Sequence, residues 1–196
     1  MKLLRTGIIF LLGACLVMPD TEFRSRFEKA DTSAARRTIL EQWLGADVWQ
    51  AATVVRDWNG RPEERQALLI SAVEHWARQD PASAAAFVSS VGPESTAAVL
   101  LVPLLLEWPR RAAQSAVDWA SKLPECPGPG TVSVLSMAGY TTLEGTRFCR
   151  GDAFEVVGFG WGRIDREAAM AWAKSLTPDA VRKAVIEKVD QSRHYR

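Results

Sequence analysis

Histidine, the side chain most often used for acid–base and nucleophilic catalysis near neutral pH, is scarce in this chain. Only His75 and His194 are present. A nucleophilic triad needs a Ser or Cys, a His and an acid in register, but His75 directly precedes Trp76 and His194 lies in a polar tail. We interpret His75 as a partly exposed helix residue. We predict no catalytic residues and no cofactor, and therefore not an enzyme.

The three cysteines, Cys15, Cys126 and Cys149, carry the other reactive side chains. Zinc sites combine Cys and His pairs at short spacing, and no such pair occurs, so we predict no metal site. In an oxidising compartment Cys126 and Cys149 would form a disulfide across a Pro- and Gly-rich segment. Closing that loop is worth about 3.5 kcal/mol in the chain-entropy model. The alternative is two unpaired thiols.

Three glycines at alternate positions, Gly158, Gly160 and Gly162, have the composition of a phosphate-binding loop. They lack the Walker lysine spacing and the dinucleotide pattern, and no strand precedes them. We therefore interpret them as a site of close helix packing or a kink just before Trp161.

The first eighteen residues differ from the rest of the chain. Lys2 and Arg5 precede an uncharged run over 7–18, which is too short to span a membrane comfortably and fits a signal-peptide core. Residues 12–15, Leu-Gly-Ala-Cys, resemble the lipobox of bacterial lipoproteins, in which the cysteine is diacylated and becomes the mature N-terminus. The resemblance implies lipidation at Cys15. An uncleaved anchor and a secretory signal cut elsewhere are the alternatives.

Four tryptophans each begin the same short pattern. An alanine lies eight places after each one, and three of the four have an acid four places on, at Asp47, Asp80 and Asp165. The first two intervals are nearly equal at about 33 residues, which is the range of stacked helical hairpins, and the third is about 20 residues longer. The tryptophans are Trp43, Trp76, Trp108 and Trp161, and the alanines are Ala51, Ala84, Ala116 and Ala169.

Each unit has the pattern of two helices joined by a short turn. Apolar residues at helical spacing precede Trp76, and Asp80-Pro81 supplies an N-cap followed by proline at the first helical position. The small alanine lets two helices approach closely, while the tryptophan fills the layer beside it. We predict an all-α fold of helical-hairpin repeats that form a short right-handed solenoid with one inserted loop, with the tryptophans as core.

The predicted organisation has three parts. Residues 1–18 form the signal peptide, 19–37 a charged lead-in or tether, and 38–196 the helical-repeat domain, with an insertion at about 124–150. The insertion is either a displaced helix or a binding loop. If it binds, the candidate partner contacts are Arg147, Phe148 and Arg150.

Trp76 to Pro81 most closely resembles bacterial tetratricopeptide-like or HEAT-like arrays in which Trp-Ala, Asp-Pro and Ala recur. The resemblance implies protein binding. The 24 basic and 23 acidic side chains are interspersed, which argues against a nucleic-acid partner. We expect an exported, lipid-anchored scaffold in the periplasm or cell envelope that binds a protein or peptide. The alternatives are an envelope enzyme or accessory subunit with its site in the insertion, or a purely structural lipoprotein.

Overall fold

The computed structural model describes residues 19–91, 94–125 and 148–195, and this part of the chain is all-α. It contains ten α-helices, and a short 3₁₀ helix follows the last of them at Ser192–Tyr195. The ten are α1 (Asp20–Lys29), α2 (Ser33–Ala46), α3 (Val48–Asp57), α4 (Pro62–Gln79), α5 (Pro81–Ser90), α6 (Glu94–Glu107), α7 (Pro109–Ala120), α8 (Arg150–Gly162), α9 (Arg166–Ser175) and α10 (Asp179–Gln191).

The helices pack in a regular order. Helices α2, α4, α6, α8 and α10 form a row in which each contacts the next. Helices α3, α5, α7 and α9 each pack between two consecutive members of that row, and α1 packs on α2 and α3. The core therefore lies between the row and the helices that alternate with it.

The segment 19–37, expected to be a charged lead-in or tether, is folded. Helix α1 occupies most of it, and α2 begins at Ser33. Phe23 and Phe27 lie one helical turn apart on one face of α1, and both are buried. Two large rings on one face give even a strongly charged helix enough apolar surface to pack. Phe23 stacks on Trp43 at a centroid distance of 5.7 Å.

Helix α6 is buried on every side rather than along one stripe. All residues from Ala98 to Leu105 are buried, Pro103 within the helix included. The helix packs against α4, α5, α7 and α8. A helix that is apolar all round requires such surroundings, and α6 is therefore the centre of the described core.

Helix α8 contacts its neighbours through its glycines. A Cβ atom on Gly160 would lie 2.8 Å from the backbone oxygen of Leu106 in α6. A Cβ on Gly158 would lie 2.8 Å from Cγ1 of Val185 in α10, and one on Gly162 would meet Ser192. The close packing predicted from these glycines is present on both sides of α8.

None of the described helices combines the length and the hydropathy that a membrane crossing requires. The signal peptide predicted at 1–18, with Cys15, lies outside the described residues, as do Cys126 and Arg147.

Candidate functional site

Three of the tryptophans precede turns of the same construction. The backbone oxygens of Trp43, Trp76 and Trp161 each accept a hydrogen bond of 2.8 Å from the N–H of the residue four places on. That residue is always an aspartate with extended backbone, and its carboxylate caps the next helix. The bonds are Gln50 N to Asp47 Oδ1 at 2.9 Å, Ser83 N to Asp80 Oδ1 at 3.1 Å, and Ala168 N to Asp165 Oδ1 at 3.0 Å.

The turn after Trp108 has the same backbone without the acid. Ala112 occupies the aspartate's place with φ −159° and ψ 82°, against φ −143° and ψ 85° at Asp80. Its N–H donates to the oxygen of Trp108 at 3.2 Å. Helix α7 is therefore broken at Ala112, and the helix that follows has no capping carboxylate at this position.

The eight residues predicted as repeat core are placed as follows. Ala51, Ala84, Ala116 and Ala169 have no exposed surface. Three of the four tryptophans are buried, whereas Trp161 is partly buried and packs against the core. Trp161 lies 5.7 Å from the ring of Trp172.

The four turns lie at one edge of the molecule, and direct contacts join each to the next. Trp49, just after the first turn, packs edge-on against Trp76 at 5.6 Å. Arg111 Nε donates to the backbone oxygen of Arg78 at 2.7 Å, which ties the second turn to the third. The approach of Gly160 to Leu106 joins the third to the fourth. We call this surface the turn edge; it comprises residues 43–49, 76–82, 108–114 and 161–167.

A depression lies at the opposite end of helix α3, where α1 and α3 meet. Its volume is about 330 Å³, and it is lined by Arg24, Glu28, Val54, Asp57, Trp58 and Asn59. Val54 and Trp58 supply apolar surface, and Arg24 pairs with Glu28 across 3.1 Å on the rim. We call it the α1–α3 depression. Its apolar surface and mixed-charge rim are suited to an apolar side chain flanked by charged residues.

Arginine contacts hold the walls of the depression in place. The guanidinium of Arg36 lies 4.7 Å from the centre of the Trp58 ring and 2.6 Å from Glu64 Oε1. It also donates to the backbone oxygen of Ala30, at the end of α1. On the rim, hydrogen bonds that Arg56 donates to Asp57 lower the pKa of Asp57, so this carboxylate keeps its negative charge at neutral pH.

The candidate partner contacts of the insertion are only partly described. Phe148 is buried, with 7% of its surface exposed. The backbone N–H of Arg150 donates to the oxygen of Pro124 at 2.9 Å, and its side chain lies 3.1 Å from Glu125. The chain therefore leaves α7 and enters α8 at the same place. Arg150 is half-buried in these contacts, and the ring of Phe148 belongs to the core.

Two carboxyl groups on α8, those of the buried Asp152 and the partly buried Glu155, have no basic partner at ion-pair distance among the described residues. Burial raises the pKa of both Asp152 and Glu155. Asp152 Oδ2 accepts the backbone N–H of Cys149 at 3.0 Å and so caps the start of α8. Within the described ranges no group of three His, Cys, Asp or Glu side chains could hold a metal ion.

His75 lies on α4, away from the α1–α3 depression. Burial lowers its pKa, as does the positive charge of Arg78. Its Nε2 lies 2.8 Å from Nε2 of Gln79, one turn along the same helix. The described hydrogen-bonding neighbour of the His75 ring is therefore Gln79, and no serine or cysteine nucleophile is among its described contacts.

Comparison with protein-family models, with curated proteins and with solved structures finds no match for this chain. We therefore infer function from the turn edge, the α1–α3 depression and the sequence of the first eighteen residues.

Proposed function

We propose that the protein is an exported, lipid-anchored scaffold that binds a partner protein or peptide at the bacterial envelope. Its four helical hairpins would form a short right-handed solenoid with one insertion. The observation that carries the proposal is the four-fold recurrence of the tryptophan turn. Arrays of this kind bind proteins along extended surfaces, an inference by analogy.

The packing order supports the solenoid. Each hairpin contacts its neighbours in sequence, as in quasi-one-dimensional repeat proteins, where each unit is stabilised by its own packing and by the next unit. Helix α10 buries Val185 and Val189 against the row and is polar elsewhere, which suits a helix that covers the hydrophobic face of α8.

The α1–α3 depression is the place at which we propose that the partner binds. Interface hot spots are enriched in Trp and Arg and combine an apolar pocket with surrounding charge. Trp58 and Arg24 fit that description. The partner would contribute one apolar or aromatic side chain, with an acid and a base beside it to meet the rim.

Export also accounts for the two remaining cysteines. Because Arg150 bonds to Pro124 and Glu125, the two ends of the segment that contains Cys126 are held together. This arrangement favours a Cys126–Cys149 disulfide in an oxidising compartment. The mass of tryptic peptides with and without reduction tests it, and separate Cys126 and Cys149 peptides in the unreduced digest would contradict it.

The binding proposal is tested by affinity capture from envelope extracts with three proteins. The first has the natural sequence, the second carries Glu28→Arg with Asn59→Arg in the α1–α3 depression, and the third lacks residues 126–147, so that the core residue Phe148 and the start of α8 are kept. We expect a specific partner that is lost with the depression variant and retained with the deletion. Loss with the deletion alone would move recognition to the insertion.

A surface variant that reverses one acid controls for added positive charge. Glu63→Arg lies on the exposed start of α4, outside the depression, and should leave capture unchanged. Circular dichroism of all four proteins shows whether each is folded. Reproducible absence of any partner would contradict the scaffold and leave the structural or catalytic alternatives.

A further inference from the structure

We infer that the turn edge is a membrane-docking face, which lies against the lipid headgroups of the bilayer that anchors the protein. The inference rests on the proposed anchor at the N-terminus. It adds an orientation: the turn edge faces the bilayer, and the α1–α3 depression faces away from it.

The exposed apolar side chains of the described residues lie at this edge. Trp49 is 51% exposed and Ile164 is 45% exposed, and no other large apolar side chain of the described residues is so open. Trp49 follows the first turn and Ile164 belongs to the fourth, so they lie at the two ends of the edge. Tryptophan is enriched at membrane interfaces, because its ring is apolar at one end and polar at the other.

Exposed arginines lie between them. The side chains of Arg78 and Arg110 are 56% and 52% exposed, and Arg111 and Arg163 are exposed as well. They occupy the second and third places after the tryptophans of successive turns. A row of guanidinium groups beside an exposed Trp and Ile suits the phosphates of anionic lipid headgroups.

Most acids of the same edge are engaged within the protein, and Glu167 is exposed. Asp47, Asp80 and Asp165 cap helices. Glu107 is only 19% exposed and lies 3.1 Å from Arg110 and 3.7 Å from Arg78. Arg78 and Arg110 share Glu107 and still keep more than half of each side chain exposed, so both guanidinium groups can reach lipid phosphates.

The chain enters the fold at this edge. Asp20, the first residue of α1, accepts a hydrogen bond of 3.1 Å from Trp43 Nε1, beside the first turn. Five residue steps separate Cys15 from Asp20, and even when fully extended they span about 18 Å at most. A lipid on Cys15 would hold the turn edge close to the bilayer, because the rest of the chain extends away from it.

The test measures which edge meets the lipid. The full chain is reconstituted in vesicles of phosphatidylcholine and phosphatidylglycerol in which the lipid chains are brominated, and tryptophan emission is recorded. Wild type is compared with Trp49→Phe, and with Trp49→Phe combined with Lys122→Trp, which places a new ring at the opposite edge. We expect the bromines to quench the emission of Trp49 and not that of the new tryptophan.

Two further variants test the arginines. Arg110→Glu and Arg163→Glu should each weaken attachment of the turn edge to anionic vesicles by about fivefold or more. Lys29→Glu at the opposite edge should leave attachment unchanged. Equal quenching at both edges, or insensitivity to the arginine changes, would overturn the inference. Failure of Cys15 to take up labelled palmitate would instead overturn the proposed anchor, and the quenching experiment would still report the orientation.

Discussion

The turn after α4 and the break within α7 have similar backbone angles, but a side-chain carboxylate caps the next helix only in the first. At Asp80 a carboxylate accepts the N–H of Ser83 at 3.1 Å and its hydroxyl at 2.5 Å. At Ala112 that acceptor is missing, yet the backbone angles are close to those at Asp80. Packing around the preceding tryptophan and the following alanine therefore determines the turn, and the aspartate contributes stability to it.

The two turns also differ in their surroundings. The third turn lies beside a close approach of α6 and α8, where a Cβ on Gly160 would lie 2.8 Å from the backbone oxygen of Leu106. Trp108 adds a ring pair with Trp119, with centroids 5.8 Å apart. A turn held by this packing can form without a cap. Substitutions of packed residues should therefore destabilise the third turn most, whereas loss of the capping aspartate should matter at the second.

The largest effect is expected where packing alone holds the turn. Trp108→Ala should lower the free energy of unfolding by about 3–5 kcal/mol, measured by urea denaturation, because the ring is buried. Trp161→Ala is the matched control and should cost clearly less, since part of that ring is exposed. Equal losses of unfolding free energy in the two variants would contradict the prediction that the buried Trp108 contributes more than Trp161.

A smaller loss is expected from Gly160→Ala. The new Cβ would meet backbone atoms of Leu106, which cannot rotate away, and overpacking of this kind costs about 1–3 kcal/mol. Gly45→Ala adds the same methyl group where nothing lies within 4 Å and should raise stability by up to about 1 kcal/mol. Thermal unfolding of both variants decides the matter: a neutral Gly160→Ala would show that α6 and α8 are not in tight contact.

At the capped turn, Asp80→Ala should lower the free energy of unfolding by about 0.5–2 kcal/mol. It should also change how that free energy depends on pH. Hydrogen bonds from Ser83 lower the pKa of Asp80 in the folded protein. The carboxylate therefore stabilises the fold above its unfolded pKa of about 3.9, and this contribution is lost as the pH falls through the folded value. The stability difference between wild type and Asp80→Ala should be constant near neutrality and shrink below about pH 4.

The smallest effect is a gain. Ala112→Asp supplies the missing cap, with Arg110 and Arg111 close in sequence, and should raise the free energy of unfolding by roughly 0.5–1 kcal/mol. Ala112→Asn separates capping from charge and should retain most of the gain, whereas Ala112→Leu should give none. A loss of stability with Asp would show that the two turns are not equivalent.

The locally encoded features were predictable from sequence. The aspartate caps and the glycine contacts follow from residue type and spacing. A cap involves residues only three places apart, and a close glycine contact requires only that one Cβ is absent. The alanine at the eighth place was expected at a close helix crossing, and all four such alanines are fully buried.

Features that depend on neighbours distant in sequence were not predictable. The sequence of helix α1 is mostly charged, and its packing is explained only by the contacts of Phe23 with Trp43 and of Phe27 with Trp58. Phe148 was a candidate contact because it lies beside Cys149, and its burial depends on how α7 and α8 meet. The α1–α3 depression joins residues from 24 to 59, and no local motif marks it.

Helix α8 has a consequence for the order in which the protein folds. Helix α8 contains four glycines, and each one in its interior, such as Gly158 and Gly160, costs about 1 kcal/mol in helix propensity relative to alanine, so α8 has little tendency to form alone. It becomes favourable only between two surfaces, and one of them, α10, comes later in the chain than α8 itself. For a chain that emerges N-terminus first, we expect the early hairpins to assemble in sequence. Helices α8, α9 and α10 would then form together, once synthesis has passed Gln191.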